Sequence, residues 1–239
     1  MEHLRGSKHI GIIGCTPAGG ASCYRLIAGR LSELDTDAER PTITLHSPPA
    51  SSYMQAIEAG EWERVAELLA DAARALARCG ADFCVLPDNT AHHALPMAEV
   101  DAPLEIVNMV ELVADHVRTM QCSTVGLIGT TYVTRGSTYQ TALGLRGVRL
   151  LVPPVEEADE LDEIIFRQAA YGRVTAESRH RVQRAVERLA ARGCEAVILG
   201  YSESSVMFDV ASIAHRLVDP VELLGDAAVA AATSAAQAA

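Results

Sequence analysis

The sequence predicts an α/β protein of two pseudo-symmetric, doubly wound halves, each built on a parallel sheet, with the active site between them. Two internal matches support this fold class. Residues 80–90 align without a gap on residues 193–203 at an offset of 113, and residues 9–16 resemble residues 124–131 at an offset of 115. In addition, strand-sized apolar runs alternate with helical patterns, which requires right-handed crossovers and a mainly parallel sheet.

The repeat also predicts how the 239 residues divide into domains. We expect residues 1–118 together with residues 211–239 to form the first α/β half, with the last helix packing back on it. Residues 119–210 would form the second half. Units of roughly this length are near the usual domain size and can bury a core of their own.

The first half begins with an apolar run that ends near Gly14, followed by a small-residue turn and a helix predicted over residues 21–34. Residues 42–45 predict a second strand, and the Pro- and Ser-rich segment 47–53 predicts a loop. The next helix is predicted from apolar residues at helical spacing, and Gly80 ends it. These residues are Trp62, Val65, Leu68, Leu69, Ala72 and Leu76.

The rest of the chain continues the alternation of strands and helices. Helical spacing predicts helices over residues 107–120, 160–171 and 176–192, and an Ala-rich helix begins at Val221. Each half also contains a short apolar run that is typical of a buried parallel strand. A Gly that ends a helix precedes each run, and polar residues follow it abruptly.

Composition narrows the classes of partner. The net charge of −11 and the lack of a basic stripe argue against nucleic-acid binding. The longest apolar runs are strand-sized and the first residues lack an apolar core, so we expect no membrane span and no signal peptide. Six cysteines without C-x-x-C spacing or a matching His cluster predict free thiols in a reducing cytoplasm and no metal site.

Polar residues follow the matched strand of the first half, where open α/β sheets bind ligands beyond the carboxyl ends of their strands. Asp88 would supply a base, and Asn89 and Thr90 would supply donors for a carboxylate. His92 could orient or buffer the acid. The alternative is a helix N-cap, because Asp, Asn and Thr all cap helices well.

The matched position in the second half holds Tyr201, followed by Ser202 and Glu203. Because Asp88 and Tyr201 occupy equivalent places in the repeat, we expect them to face one crevice. The alternative interpretation is a capping box, or a Tyr that packs over the sheet.

Two further turns are candidate binding elements. The turn of residues 14–21, which contains Thr16, could hold an anion with backbone N–H groups, although a merely tight turn would look the same. It has neither the G-x-G-x-x-G spacing nor the Walker lysine of nucleotide sites. Thr130 and Thr131 occupy the matched position in the second half and would offer donors to a carboxylate.

Taken in order, these segments resemble the cofactor-independent aspartate/glutamate racemase superfamily, which includes hydantoin racemases, maleate isomerases and arylmalonate decarboxylases. The resemblance implies chemistry at the carbon next to a carboxylate, without pyridoxal phosphate or metal. It also implies a small carboxylate or amino-acid substrate and a homodimer. The similar segments span nearly the whole chain: residues 10–14, 60–63, 80–83, 89–92, 125–130, 164–172 and 195–200.

The chain departs from this family at the two positions where its racemases usually carry catalytic cysteines, which here hold Asp88 and Tyr201. An Asp with a pKa of about 3.9 is ordinarily ionised, and a Tyr with a pKa of about 10 is ordinarily protonated. The pair is therefore polarised, with Asp88 as base and Tyr201 as acid. After one turnover Asp88 would be protonated and Tyr201 ionised, a state that is unfavourable by about six pK units on these reference values. This cost disfavours racemisation in both directions.

Three functions stay open on this basis: an isomerase, a lyase or decarboxylase, and an inactive protein that binds small carboxylates. If the substrate has a second carboxylate, we expect an arginine such as Arg135 or Arg167 to bind it. The predicted substrate-binding residues are Thr16, Asn89, Thr90, Thr130, Thr131, Ser202 and Glu203.

Overall fold

The computed structural model describes residues 7–34, 40–203 and 215–234. The first of its two sheets contains four parallel strands in the order β2-β1-β3-β4. Strand β1 pairs with β2 and β3, and β3 pairs with β4. The strands are β1 (Ile10–Ile13), β2 (Ile43–His46), β3 (Phe83–Val85) and β4 (Ile106–Val107).

The second sheet repeats this arrangement with four parallel strands in the order β6-β5-β7-β8. In both sheets the first strand in sequence lies between the second and the third. This common order confirms the predicted α/β class with two parallel sheets. The strands are β5 (Thr124–Gly129), β6 (Arg149–Leu151), β7 (Ala196–Gly200) and β8 (Leu217–Val218).

Helices connect successive strands. Between the strands of the first sheet, in chain order, they are α1 (Pro17–Ser32), α2 (Ala50–Ala59), α3 (Trp62–Arg78), a 3-10 helix (Ala91–His93) and α4 (Leu95–Asp101). Around the second sheet they are α5 (Met109–Thr119), α6 (Thr131–Thr134), α7 (Ser137–Gly144), α8 (Val155–Arg167), a 3-10 helix (Ala169–Tyr171) and α9 (Ala176–Ala191). Helix α10 (Pro220–Thr233) follows β8. Within the described residues, no helix is both long and apolar enough to cross a membrane.

The described residues divide into two compact units, each around one sheet. The first unit takes its residues from Met1–Pro87, Ala94–Asn108 and Val221–Ala239, and the second from Asp88–His93 and Met109–Pro220. The domain boundary predicted after residue 118 stays a prediction, because compactness alone does not show which segments fold independently. The boundary predicted after residue 210 lies outside the described residues.

The helix predicted to end at Gly80 is present, and its sequence explains both its packing and its end. Val65, Leu69 and Leu76 lie on one face of α3 and are fully buried. Gly80 has a φ of 89°, a left-handed conformation that Gly adopts without a steric penalty. Helix α9 likewise lies close to the predicted range, and the Thr175 hydroxyl caps it by accepting from Ser178 N.

Three predicted boundaries were wrong, and one of them is the start of the helix predicted at residue 160, since α8 begins at Val155 directly after Pro154. Residues 47–53 were expected to form a loop, but α2 begins at Ala50 directly after two prolines, because Tyr53, Ala56 and Ile57 share a buried face. Helix α1 begins at Pro17, earlier than expected, because the Thr16 hydroxyl accepts from Gly19 N. Proline is favourable at the first helical position, where no backbone donor is needed.

Glycines allow a close approach at the carboxyl edge of the second sheet. Gly129 of β5 pairs with Gly200 of β7. A Cβ added to Gly129 would lie 2.7 Å from the Gly200 carbonyl oxygen and 3.1 Å from Val133 Cγ1. Helix α6 therefore begins immediately after the strand, with no room for a larger residue at this edge.

We expect Gly129→Ala to destabilise the protein by about 1–3 kcal/mol, because the added methyl group would overpack a contact with backbone. Gly144→Ala is the matched control, since a Cβ at Gly144 meets nothing within 4 Å. Urea unfolding would measure both variants. Equal stability of the two would contradict the packing argument.

Candidate functional site

Residues Asp88–His93 form a loop, the 88–93 loop, that follows β3 in the chain but belongs to the compact unit of the second sheet. Side-chain hydrogen bonds hold it to three elements of that unit. The bonds are Tyr139 Oη to Asn89 Oδ1 (2.6 Å), Thr90 Oγ1 with Thr130 Oγ1 (3.0 Å), and Met109 N to His92 Nε2 (3.0 Å). The partners come from α7, the turn after β5, and the start of α5.

These bonds place the loop in the same unit as the carboxyl edge of the second sheet. Thr130 follows β5 and Tyr201 follows β7, and the two strands end in register at Gly129 and Gly200. Asp219 follows β8, which pairs with β7. The sequence predicted site residues at two of these positions, Thr130 and Tyr201. That Tyr201 and Asp88 face one crevice stays a prediction.

Asp88 makes the N-cap bond that the sequence offered as the alternative, and its role as a base stays a prediction. Its Oδ1 accepts from Ala91 N at 2.8 Å, as an N-cap of the following 3-10 helix does. The carboxyl group is also buried. Burial raises its pKa to about 6, although the backbone bonds from Ala91 and Thr90 act in the opposite direction. At neutral pH the group is mostly ionised and yet readily protonated, as a general base should be.

His92 bonds the backbone carbonyl of Asp88 and not its carboxylate. Its Nδ1 lies 2.7 Å from the Asp88 carbonyl oxygen, and its Nε2 lies 3.0 Å from Met109 N. A carbonyl only accepts and an N–H only donates, so Nδ1 carries the proton and Nε2 accepts. Burial lowers the pKa of His92 to about 4. The neutral ring thus joins the 88–93 loop to the start of α5.

Tyr201 belongs to the hydrophobic core cluster of the second unit, which also contains Ile164 of α8 and Val182 of α9. Its hydroxyl is buried and has no hydrogen-bond partner among the residues that the structure describes, so it makes no bond to Asp88. Burial raises the pKa of Tyr201 well above 10, and the charges of Asp219 and Glu203 add to this. The phenol is therefore protonated throughout the physiological range.

The other predicted binding residues differ in how their donors are used. Thr130 Oγ1 accepts from Val133 N and caps α6, and Ser202 and Glu203 are buried after Tyr201. Both donors of Thr131, its N–H and its hydroxyl, bond Asp162 Oδ1 of α8, at 2.6 and 3.1 Å.

Three predicted residues already bond other groups. Thr16 belongs to the first unit, where its hydroxyl caps α1. The two candidate arginines form ion pairs with exposed side chains of α8. These pairs are Arg135 with Asp159 at 2.6 Å and Arg167 with Glu163 at 3.7 Å.

Sequence reasoning missed two residues of this region, Tyr139 and Asp219. Tyr139 lies within a helix of eight residues, and nothing in its spacing distinguishes it from a core aromatic. Asp219 follows only two apolar strand residues, Leu217 and Val218, which is too short a run to identify a strand. Its position after a strand repeats the pattern that identified Asp88, and that pattern was the available signal.

A model of the Asp/Glu/hydantoin racemase family matches residues 12–231. The chain belongs to this family. Family membership supports an isomerase-type enzyme of the racemase kind.

Solved structures agree on the racemase-family fold. An aspartate racemase homologue from Pyrococcus horikoshii is 26% identical, with a TM-score of 0.75 over 93% of this chain and 97% of that chain. A Yersinia pestis protein provisionally designated an Asp/Glu racemase is 24% identical, with a TM-score of 0.79 over 93% and 97%. The aspartate racemase of Picrophilus torridus is 18% identical, with a TM-score of 0.75 over 95% and 94%. The last two likenesses show a common fold.

The 88–93 loop of this racemase-family chain contributes hydrogen-bond donors that have no acceptor within the described residues. Asn89 Nδ2 is buried and, within the described part of the chain, has no partner. Thr90 and Thr130 share one hydroxyl proton between them, and the Val133 N–H occupies an acceptor site of Thr130, so the second hydroxyl proton of the pair is left to bond elsewhere. Buried donors without an acceptor cost about 1–3 kcal/mol each, so a ligand oxygen would be bound favourably here.

We expect His92→Asn to lower stability by about 1–3 kcal/mol at pH 7, because Met109 N–H would lose its buried acceptor. The pKa of His92 falls from 6.5 to about 4 on folding, so acidification protonates the unfolded chain first. The stability that the neutral ring contributes is complete above pH 6.5 and is lost as the pH falls toward 4.

Urea unfolding at several pH values between 4 and 7 would measure this difference. The gap between wild type and His92→Asn should narrow as the pH decreases. His180→Asn, which removes an exposed imidazole from α9, should change stability little at any of these pH values. A gap that is constant or widens on acidification would refute the assigned tautomer.

Proposed function

We propose that this protein is a cofactor-independent enzyme of the racemase family that transfers a proton at the carbon next to the carboxylate of a small amino acid or dicarboxylate. Asp88 acts as the base and Tyr201 as the acid, and neither pyridoxal phosphate nor a metal ion takes part. The observation that carries the proposal is the buried Asn89 Nδ2 group, which has no partner among the described residues, next in the chain to a buried carboxyl group whose pKa is raised to about 6.

The proposed binding of the substrate carboxylate depends on neutral hydrogen-bond donors. Asn89 Nδ2 offers two N–H groups, and the pair of Thr90 and Thr130 offers one hydroxyl proton. These donors suit the oxygens of a carboxylate, and they would also stabilise the enolate-like charge that develops when the adjacent carbon loses its proton. Thr16, Thr131, Ser202 and Glu203 complete the proposed set, although the Thr131 donors already bond Asp162.

The proposed proton transfer depends on the burial of Asp88 and Tyr201. A carboxyl group with a pKa near 6 is a stronger base than an ordinary aspartate and is still mostly ionised at pH 7. Tyr201 keeps its proton at that pH, and its buried hydroxyl has no acceptor among the described residues. In this scheme Asp88 removes a proton from the substrate carbon, and Tyr201 donates one to the carbanion that results.

A lyase or decarboxylase is the second candidate, and one observation favours it. Burial raises the pKa of both groups, so that of Asp88 stays near 6 while that of Tyr201 lies well above 10. Proton transfer in the reverse direction would need a phenolate and a protonated carboxyl group, which is an uphill state. The forward transfer ends in this same state, whereas loss of carbon dioxide breaks a carbon–carbon bond without giving a proton to Asp88, so that only Tyr201 gives up a proton, to the carbanion, and regains it from water. The proposed homodimer can be measured separately by light scattering.

We expect Asp88→Asn to lower turnover by about 10²- to 10⁴-fold, because the amide keeps an acceptor for Ala91 N but cannot take a proton. Exchange of the α-proton in heavy water, followed by NMR over a panel of amino acids and dicarboxylates, would measure it together with release of carbon dioxide and ammonia. Asp82→Asn is the control, since Asp82 also accepts from a backbone N–H, that of His9. Full activity of Asp88→Asn would remove Asp88 from the mechanism, and heat of binding without any turnover would indicate an inactive binder.

The same assay has an expected pH dependence. Wild-type kcat/KM should fall as the pH decreases through about 6, because protonation of Asp88 removes the base. The Tyr201 phenol should add no limb below pH 9, since its pKa lies well above 10. A profile that stays flat between pH 5 and pH 7 would exclude Asp88 as the essential base.

We expect Tyr201→Phe to lose turnover while remaining at least as stable as wild type. The ring stays in the core, and removal of a buried hydroxyl without an acceptor does not cost a hydrogen bond. Urea unfolding and the exchange assay on the same sample would test both halves of this expectation. Retained turnover would show that another group is the acid.

A further inference from the structure

Tyr139 of α7 controls which end of the Asn89 amide is free. Its Oη donates to Asn89 Oδ1 over 2.6 Å, and the two side chains are only 1% and 5% exposed. The carbonyl end of the amide is therefore occupied within the protein. The opposite end, Nδ2, is buried and has no partner in the described chain.

The direction of this bond does not change with pH in the physiological range. Burial raises the pKa of Tyr139 far above its usual value, and the charge of Asp219 adds to the effect, so the phenol keeps its proton. The carboxamide group of Asn89 does not titrate. A phenol that always carries a proton holds Oδ1 as the acceptor, and the N–H groups consequently face away from Tyr139.

Hydrogen bonds other than the one between Tyr139 and Asn89 hold both helix α7 and the 88–93 loop in place. Arg146, just after α7, bonds Glu111 and Asp115 of α5 and the carbonyl oxygen of Ala142. The 88–93 loop is bonded to the start of α5 through His92. Helix α7 and the loop are thus held by one common helix, and the position of Tyr139 relative to Asn89 does not depend on their mutual bond alone.

We propose that Tyr139 is a positioning residue, which fixes the Asn89 amide with its N–H groups toward the ligand and so selects a carboxylate over a carboxamide. A carboxylate presents acceptors on both oxygens, whereas a carboxamide replaces one of them by a donor. The carboxylate ligand is taken from the proposed function, and the fixed orientation of the amide stands on the structure of the second unit.

The chain makes a direct test possible because it contains only two asparagines, Asn89 and Asn108. Labelling with 15N-asparagine gives two side-chain NH₂ pairs, and the Asn89→Asp spectrum identifies the pair of Asn89. We expect Tyr139→Phe, without any ligand, to change or broaden the Asn89 pair and to leave that of Asn108 in place. An unchanged Asn89 pair would overturn the proposal.

Titration with acetate and with acetamide tests selectivity. We expect acetate to bind wild type more tightly than acetamide, and Tyr139→Phe to weaken acetate about tenfold and to reduce the ratio of the two affinities. On a substrate identified by the exchange assay, the variant should raise KM and also lower kcat, because the proposed donors bind the carboxylate and stabilise the enolate-like charge that develops on it.

Tyr53→Phe is the matched control, because Tyr53 is equally buried and donates its hydroxyl proton to the Leu68 carbonyl in the first unit. It should lose similar stability without a change in the acetate to acetamide ratio. If Tyr139→Phe and Tyr53→Phe have the same ratio as wild type, Tyr139 is merely structural. If wild type binds no acetate, the carboxylate site fails, and the ligand-free spectra still decide whether Tyr139 fixes the amide.

Discussion

The candidate site depends on how six residues of irregular backbone are fastened to the second unit. The 88–93 loop belongs neither to a strand nor to a long helix, and its side chains are nearly all buried, so its polar atoms need partners that side chains from distant positions supply. Asn89, Thr90 and His92 each bond a different element of the unit. Every proposed role of Asp88 follows from this fastening, since it fixes the backbone from which the carboxylate projects.

Burial is the dominant electrostatic influence at this site, and its effect depends on the charge type of each group. It raises the pKa of Asp88 to about 6 and that of Tyr201 well above 10, and it lowers the pKa of His92 to about 4. In each case the neutral form is favoured, because a low-dielectric interior disfavours charge. The same physical cause thus leaves the Asp88 carboxyl group able to gain a proton near pH 6, keeps the Tyr201 phenol protonated and keeps the His92 ring neutral, and the proposed roles of base and acid depend on these protonation states.

The site also contains polar groups that the protein itself leaves unsatisfied. The Asn89 amide nitrogen and the Tyr201 hydroxyl are buried without partners in the described chain, whereas most neighbouring polar atoms are bonded. Such groups reduce stability, and proteins usually keep them where a ligand completes the bonding.

Paired glycines at Gly129 and Gly200 allow α6 to begin directly after β5, which places Thr130 at its cap.

The sequence by itself determined the α/β class, the presence of two similar parallel sheets and the strand ends at which polar residues appear, because hydrophobic period and glycine stops are local properties of a chain. It did not reveal that α2 begins at Ala50, where a buried face outweighs two prolines. Nor did it identify Tyr139, whose importance comes from a bond to a residue fifty positions earlier. Only the tertiary structure decided which buried groups are bonded and which are not, since that depends on contacts between segments far apart in the chain. The protonation of Asp88 was decided there as well, because its pKa follows from how completely its neighbours exclude water.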